Sequence, residues 1–105
     1  MDERIKYISD FYGYEVQSRQ LIEEMAELTK AINKLWRFEN GQKIPQTKGK
    51  LEAEILEEIA DVEICLDYFK YLFNIKTNNL NGVVENIKNF KLNREIKRIK
   101  ERLKS

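Results

Sequence analysis

The stretch Leu51-Glu52-Ala53-Glu54-Ile55-Leu56-Glu57-Glu58-Ile59-Ala60-Asp61-Val62 decides the fold. Its aliphatic residues Leu51, Ile55, Ile59 and Val62 recur at steps of three and four, and Leu66, Phe69 and Phe73 continue the series. Such steps bring side chains to one face of an α-helix, whereas a half-buried strand needs strict alternation. The spacing predicts a helix from about Leu51 to Phe73, with Thr47 placed to cap its start.

Working outward, the same periodicity appears on both sides. Upstream, Leu21, Met25, Leu28, Ile32 and Leu35 predict a helix from about Glu15 to Phe38. Downstream, a third helix is expected from about Leu80 to Leu103, and a short one near residues 2 to 11. Gly13, the polar loop from Glu39 to Gly49 with Gly41 and Pro45, and the turns Thr77-Asn78-Asn79 and Asn81-Gly82 separate them. The expected fold is all-α: an antiparallel bundle of three main helices plus a short N-terminal helix. Trp36, Phe38, Phe69, Tyr71 and Phe73 add more apolar surface than three helices cover, so oligomerisation is expected to complete the bundle.

Composition narrows the chemistry. At 105 residues the chain has room for a single domain spanning 1–105. It contains no His and a lone Cys65. Ser-His-Asp and Cys-His catalysis are therefore excluded, as are internal disulfides and zinc sites built from Cys and His. What remains is chemistry by carboxylates, amines, guanidiniums, hydroxyls or a metal held by oxygen. No apolar run is long enough for a membrane span, and Met1-Asp2-Glu3-Arg4 lacks signal-peptide character, so a cytoplasmic protein is expected. The formal charge of +1 conceals sorting: residues 51–67 hold seven acids and no base, residues 80–105 eight bases and three acids.

Two acidic clusters stand out, Glu23-Glu24-Met25-Ala26-Glu27 and Glu57-Glu58-Ile59-Ala60-Asp61. Glu24 and Glu27 share a helix face, as do Glu58 and Asp61, and like charges so placed repel by a few tenths of a kcal/mol. A divalent cation with a preference for hard oxygen ligands reverses that repulsion. Roughly two Glu-x-x-Glu matches are expected from composition alone, and most such pairs are simply solvated. Placement discriminates better. Glu24 lies roughly 70° and Glu58 roughly 60° from the centres of their apolar stripes, at the core boundary. Glu27 and Asp61 lie further round on the same side, so antiparallel packing lets the four carboxylates converge. Semi-buried converging carboxylates are costly without a cation.

In this order, the motifs resemble those of the MazG-like all-α nucleoside triphosphate pyrophosphohydrolases. Gln17 through Lys34 is similar to that family's first motif helix and Leu56 through Val62 to its second. Lys91-Leu92-Asn93-Arg94 resembles the Lys…Asn…Arg segment of its later helix. The resemblance implies Mg²⁺-dependent hydrolysis of a nucleoside triphosphate to the monophosphate and pyrophosphate, with Mn²⁺ as a substitute ion. It implies Glu24, Glu27, Glu58 and Asp61 as metal ligands and Glu27 and Glu58 as catalytic carboxylates. Gln17, Lys91, Asn93 and Arg94 become substrate-binding candidates, and a homodimer or homotetramer the expected assembly. Physically, a metal acidifies bound water and a carboxylate takes the proton, for which Glu27 is the candidate.

The third helix is unusual. Leu80, Val84 and Ile87 define a stripe whose continuation carries Lys91, Arg94 and Arg98, while Leu92, Ile96, Ile99 and Leu103 gather on another face. One explanation is a stripe that turns basic to meet phosphates; the other is a helix that stops packing near residue 90 and solvates its charges. The rival functional class is a helical nucleic-acid-binding or structural module built on these bases. Glu85, Glu95 and Glu101 interrupt the run, and the acidic remainder of the chain repels DNA, so a nucleic-acid partner is not expected.

Overall fold

A computed structural model describes residues 1–79 and 82–104. The chain is all-helical, in the order α1 (Glu3–Glu39), α2 (Lys48–Thr77) and α3 (Val83–Lys104), with no strand among the described residues. The boundaries follow local chemistry. Asp2 caps α1, its Oδ1 accepting the Arg4 backbone N–H at 2.9 Å. Gly13 then interrupts α1 at φ 86° and ψ 170°, a left-handed conformation that favours glycine. The short N-terminal helix and the first long helix thus meet end to end at this break. Thr47 caps α2, its Oγ1 accepting the Lys50 N–H at 3.2 Å. α2 extends beyond the expected span at both ends. The expected start of the third helix at Leu80, and Asn81 of the expected turn, lie outside the described residues; Gly82 has φ 91°.

The residues group into two compact units, Met1–Phe73 and Asn74–Ser105. In the first, α1 and α2 form an antiparallel hairpin, shown by contacts that pair rising numbers on one helix with falling numbers on the other. Tyr71 Oη donates to Asp10 Oδ1 at 3.0 Å. The Tyr14 ring lies 5.6 Å from Phe69 and 6.5 Å from Phe73 between centroids. At the far end Lys48 Nζ meets Glu39 Oε2 at 3.7 Å. Tyr14, Phe69 and Phe73 make a ring cluster near the Gly13 break, at distances favourable for aromatic pairing.

The hairpin buries a narrower and differently centred strip than the hydrophobic pattern predicts. Gln17, Leu21 and Ala31 are buried on α1, with Glu24 and Leu28 half-buried between them and Leu35 half-buried one turn beyond. On α2 the inward row is Leu51, Ile55, Glu58, Val62, Cys65 and Phe69. Met25, Ile32, Ile59 and Leu66, expected on the inward stripes, are exposed instead. Each helix carries an apolar arc broader than one neighbour can cover, and the contact falls toward the edge where Glu24 and Glu58 sit. The second unit has no comparable core: α3 has no buried residue among those described.

Candidate metal centre

The rotation of the inward strip is what places the acids. Glu24 and Glu58, expected at the margin of the apolar stripes, lie in the two facing rows and are half-buried. One carboxylate oxygen from each of Glu24, Glu58 and Asp61 comes within 4.8 Å of the others. Asp61 follows Glu58 by one helical turn and is exposed, which gives the trio an open side. Three acceptor-only groups converge where each repels the next, unless a proton or a cation lies among them.

Two side-chain oxygens in the trio differ in their surroundings. Glu24 Oε1 accepts a hydrogen bond from Gln20 Nε2 at 2.8 Å, one turn earlier on α1. Glu58 Oε2 is buried and has no hydrogen-bond partner among the described residues. A buried oxygen without a donor is costly in low dielectric, and such orphans are rare in folded proteins. Burial pushes the Glu58 carboxyl above the ordinary carboxylate range. The negative charges of Glu24 and Asp61, the hydrogen bond that a protonated Glu58 would donate to Glu24 and the charge of Glu27 push it in the same direction. Beside it, burial raises the Cys65 thiol, again with Glu24 and Asp61 adding to the effect.

The other expected site residues are distributed as follows. Glu27 is exposed and lies outside the converging trio, though close enough for its charge to act on Glu58. Gln17 is 4% exposed, about two turns before Glu24 along the inward row, so its amide is interior and not on open surface. Lys91, Asn93 and Arg94 belong to the second unit and are exposed on α3, where the Arg94 guanidinium lies 5.6 Å from the centroid of the Phe90 ring. Gln20 as an anchor for Glu24 and Cys65 beneath the acids were not singled out by their types. Their spacing was the available signal: Gln20 is four residues before Glu24, and Cys65 four after Asp61 and seven after Glu58.

The donor set is suited to a hard divalent cation: oxygen ligands alone, a buried oxygen lacking a partner, and an exposed carboxylate at the rim. No protein-family model, curated protein or solved structure matches this chain.

Proposed function

We propose that this chain is a Mg²⁺-dependent nucleoside triphosphate pyrophosphohydrolase of MazG-like type, acting as an assembly of two or four copies. The observation that carries the proposal is the unpartnered, buried Glu58 Oε2 set among the Glu24 and Asp61 carboxylates. A structural bundle gains nothing from such an arrangement, because isosteric amides or apolar residues would remove the repulsion.

Glu24, Glu58 and Asp61 would hold the ion, with Mn²⁺ as the substitute. When bound, it would supply neutralising charge for phosphate oxygens and lower the pKa of water. The rest of the chemistry belongs to the side chains. Gln20 Nε2 donates to Glu24 Oε1 and so fixes the orientation of that carboxylate. Glu27 is assigned as proton acceptor: it is exposed to solvent and not one of the three converging ligands. Water oxygen bonds to the α-phosphorus, the bond from that phosphorus to the oxygen bridging to the β-phosphate breaks, and pyrophosphate leaves. The water proton passes to Glu27. Lys91, Asn93 and Arg94 are kept as substrate-binding candidates by their chemistry alone, the first and last through charge and Asn93 through a neutral amide.

The test is a panel of ribo- and deoxyribonucleoside triphosphates with Mg²⁺, read by pyrophosphate release. Hydrolysis abolished by chelator supports the assignment. Tight duplex DNA binding with every nucleotide left intact replaces it with the nucleic-acid module.

A further inference from the structure

Two side chains that the proposed chemistry leaves unused share the face of the hairpin on which the acids lie. From the centre of the inward row of α1, Glu27 turns about 80° and Lys34 about 100° to the same side. From the centre of the inward row of α2, Asp61 turns about 80° and Tyr68 about 100° with the same hand. In antiparallel helices the same hand of rotation leads to the same face of the hairpin. Lys34 follows Glu27, and Tyr68 follows Asp61, by seven residues, which is about 10.5 Å along each helix. Because the helices run in opposite directions, Tyr68 and Lys34 stand at opposite ends of the face, with Glu24, Glu58 and Asp61 between them.

The two ends differ in chemistry. Tyr68 is half-buried, and its hydroxyl has no hydrogen-bond partner among the described residues. Burial pushes its phenol above the ordinary range, and the charges of Cys65 and Tyr12 add to the effect, so Tyr12 is close by. Residues 62–69 of α2 carry no base. Lys34 is half-buried where Lys30 and Arg37 are exposed, and it has no hydrogen-bond or ion-pair partner among the described residues. Residues 28–38 of α1 carry no acid. One end offers a flat, partly desolvated ring and the other an uncommitted ammonium.

Spacing relates both ends to one molecule. The Tyr14–Phe69 contact sets Tyr68 level with about residue 15 of α1, so its Cα stands about 28 Å along the hairpin from that of Lys34. Side chains slant toward the N-terminus of their own helix, which for both residues is toward the acids. The slant shortens the gap between ring and ammonium to roughly 18 Å, the scale of an extended nucleoside triphosphate. The carboxylate trio falls near the middle of that gap. The α-phosphate of such a substrate also lies mid-molecule, with an aromatic base on one side and two further anionic phosphates on the other.

We propose that the nucleotide lies lengthwise along this face, its nucleoside against Tyr68 and its β- and γ-phosphates toward Lys34, so that the α-phosphate falls at Glu24, Glu58 and Asp61. The orientation rests on the pyrophosphohydrolase reading and adds two binding residues to it. The opposite direction sets the terminal phosphates beside a partly buried phenol in a segment without bases, and the base beside an ammonium. Tyr68 supplies a face for stacking, which every nucleobase accepts. Lys34 supplies a point charge to oxygens that leave with the pyrophosphate.

The two products of hydrolysis separate the two ends. With Mg²⁺ present, pyrophosphate and the monophosphate of the best-hydrolysed triphosphate are each titrated as inhibitors. Tyr68→Leu keeps apolar bulk without a flat ring. It is expected to raise KM and the monophosphate inhibition constant by about 10-fold and to leave pyrophosphate inhibition unchanged. Tyr68→Phe is expected to match the parent chain. Lys34→Gln is expected to weaken pyrophosphate inhibition by about 10-fold and leave the monophosphate unaffected, with Lys34→Arg restoring most of the loss. Circular dichroism checks that each variant is helical; if Tyr68→Leu unfolds, the Lys34 pair carries the test alone. Weaker pyrophosphate inhibition in Tyr68→Leu, or weaker monophosphate inhibition in Lys34→Gln, overturns the proposal, as do variants with both constants unchanged. A parent chain that hydrolyses no triphosphate refutes the pyrophosphohydrolase reading itself, and the orientation with it, before any variant is made.

Discussion

The chain carries two concentrations of charge, and they are built in opposite ways. The acids of the hairpin face inward: Glu24 and Glu58 occupy the rows through which α1 and α2 meet, and one Glu58 oxygen is buried without a partner. The bases of α3 face water. Every described residue there is exposed, and Lys88 with Glu85 at 3.4 Å and Arg98 with Glu95 at 3.6 Å are local ion pairs, each three residues apart. Exposed pairs of this kind contribute little, typically under about 1 kcal/mol. By count the eight bases of residues 80–105 are the more conspicuous feature. Burial reverses the ranking, because a charge in water needs no explanation and a desolvated carboxylate among carboxylates does.

If that contrast is functional, the largest effect lies at the buried oxygen. Glu58→Gln keeps the shape and removes the charge, and is expected to lower Mg²⁺-dependent pyrophosphate release by about 100-fold or more. Its helical signal is expected to be retained, and metal-free thermal stability above neutral pH to rise, since the amide relieves the repulsion. Unchanged turnover in Glu58→Gln breaks the assignment of the trio. Next in size is the paired change Lys91→Ala and Arg94→Ala on α3. Loss of two charge-assisted contacts to phosphate is expected to raise KM by about 10- to 100-fold with a smaller change in kcat. A KM equal to that of the parent chain would return these bases to the class of solvated surface charge.

Much of the fold was legible in the residues because helix formation is local. The three- and four-residue steps, the Gly13 break and the Thr47 cap are read within a turn of each position and appear as expected in α1 and α2. The expected loop from Glu39 to Gly49 narrows to 40–47, because Glu39 ends α1 and Lys48 and Gly49 join α2. Which side of each helix faces inward was not legible. The periodicity located the centre of the apolar arc, and Met25, Ile32, Ile59 and Leu66 were assigned to the core on that basis. The contact in fact lies nearer the arc's acidic edge, a choice made between two helices and not within either. The same difference explains the trio. Spacing alone pairs Glu24 with Glu27 and Glu58 with Asp61, but only the pairing of two elements distant in sequence brings Glu24, Glu58 and Asp61 together and leaves Glu27 outside.

A more modest effect is expected at Gln20, which separates anchoring from mere proximity. Its amide holds Glu24 Oε1 at 2.8 Å. Side chains that orient a metal ligand typically change affinity by about 10-fold when removed. Gln20→Ala is therefore expected to weaken Mn²⁺ binding, followed by the paramagnetic signal of the free ion, by about that factor or less. Gln20→Glu places a fourth carboxylate beside the trio and raises the repulsion in the metal-free chain. A Mn²⁺ affinity unmoved by Gln20→Ala would mean that Glu24 needs no anchor.

The smallest expected effect is the pH dependence of the metal-free hairpin, and its sign is diagnostic. A carboxylate paired with a cation has a depressed pKa in the folded state, and its contribution is lost as pH falls. Glu58 is the reverse: burial, the charges of Glu24, Asp61 and Glu27, and hydrogen bonding with Glu24 raise its folded pKa above the value in the unfolded chain. The folded state therefore holds that proton more tightly, and its contribution to stability is fully present below the unfolded pKa. That contribution declines as pH rises through the folded value. Thermal midpoints without metal are expected to fall as pH climbs from the ordinary carboxylate range toward neutrality, and the slope is expected to vanish in Glu58→Gln. Saturating Mg²⁺ is expected to flatten or invert the same slope, because the ion replaces the proton among the three oxygens and binds more weakly wherever the proton competes. On α3 no such effect is expected: the Arg98 pair with Glu95 is exposed, and Arg98→Ala is expected to shift stability by no more than about 0.5 kcal/mol.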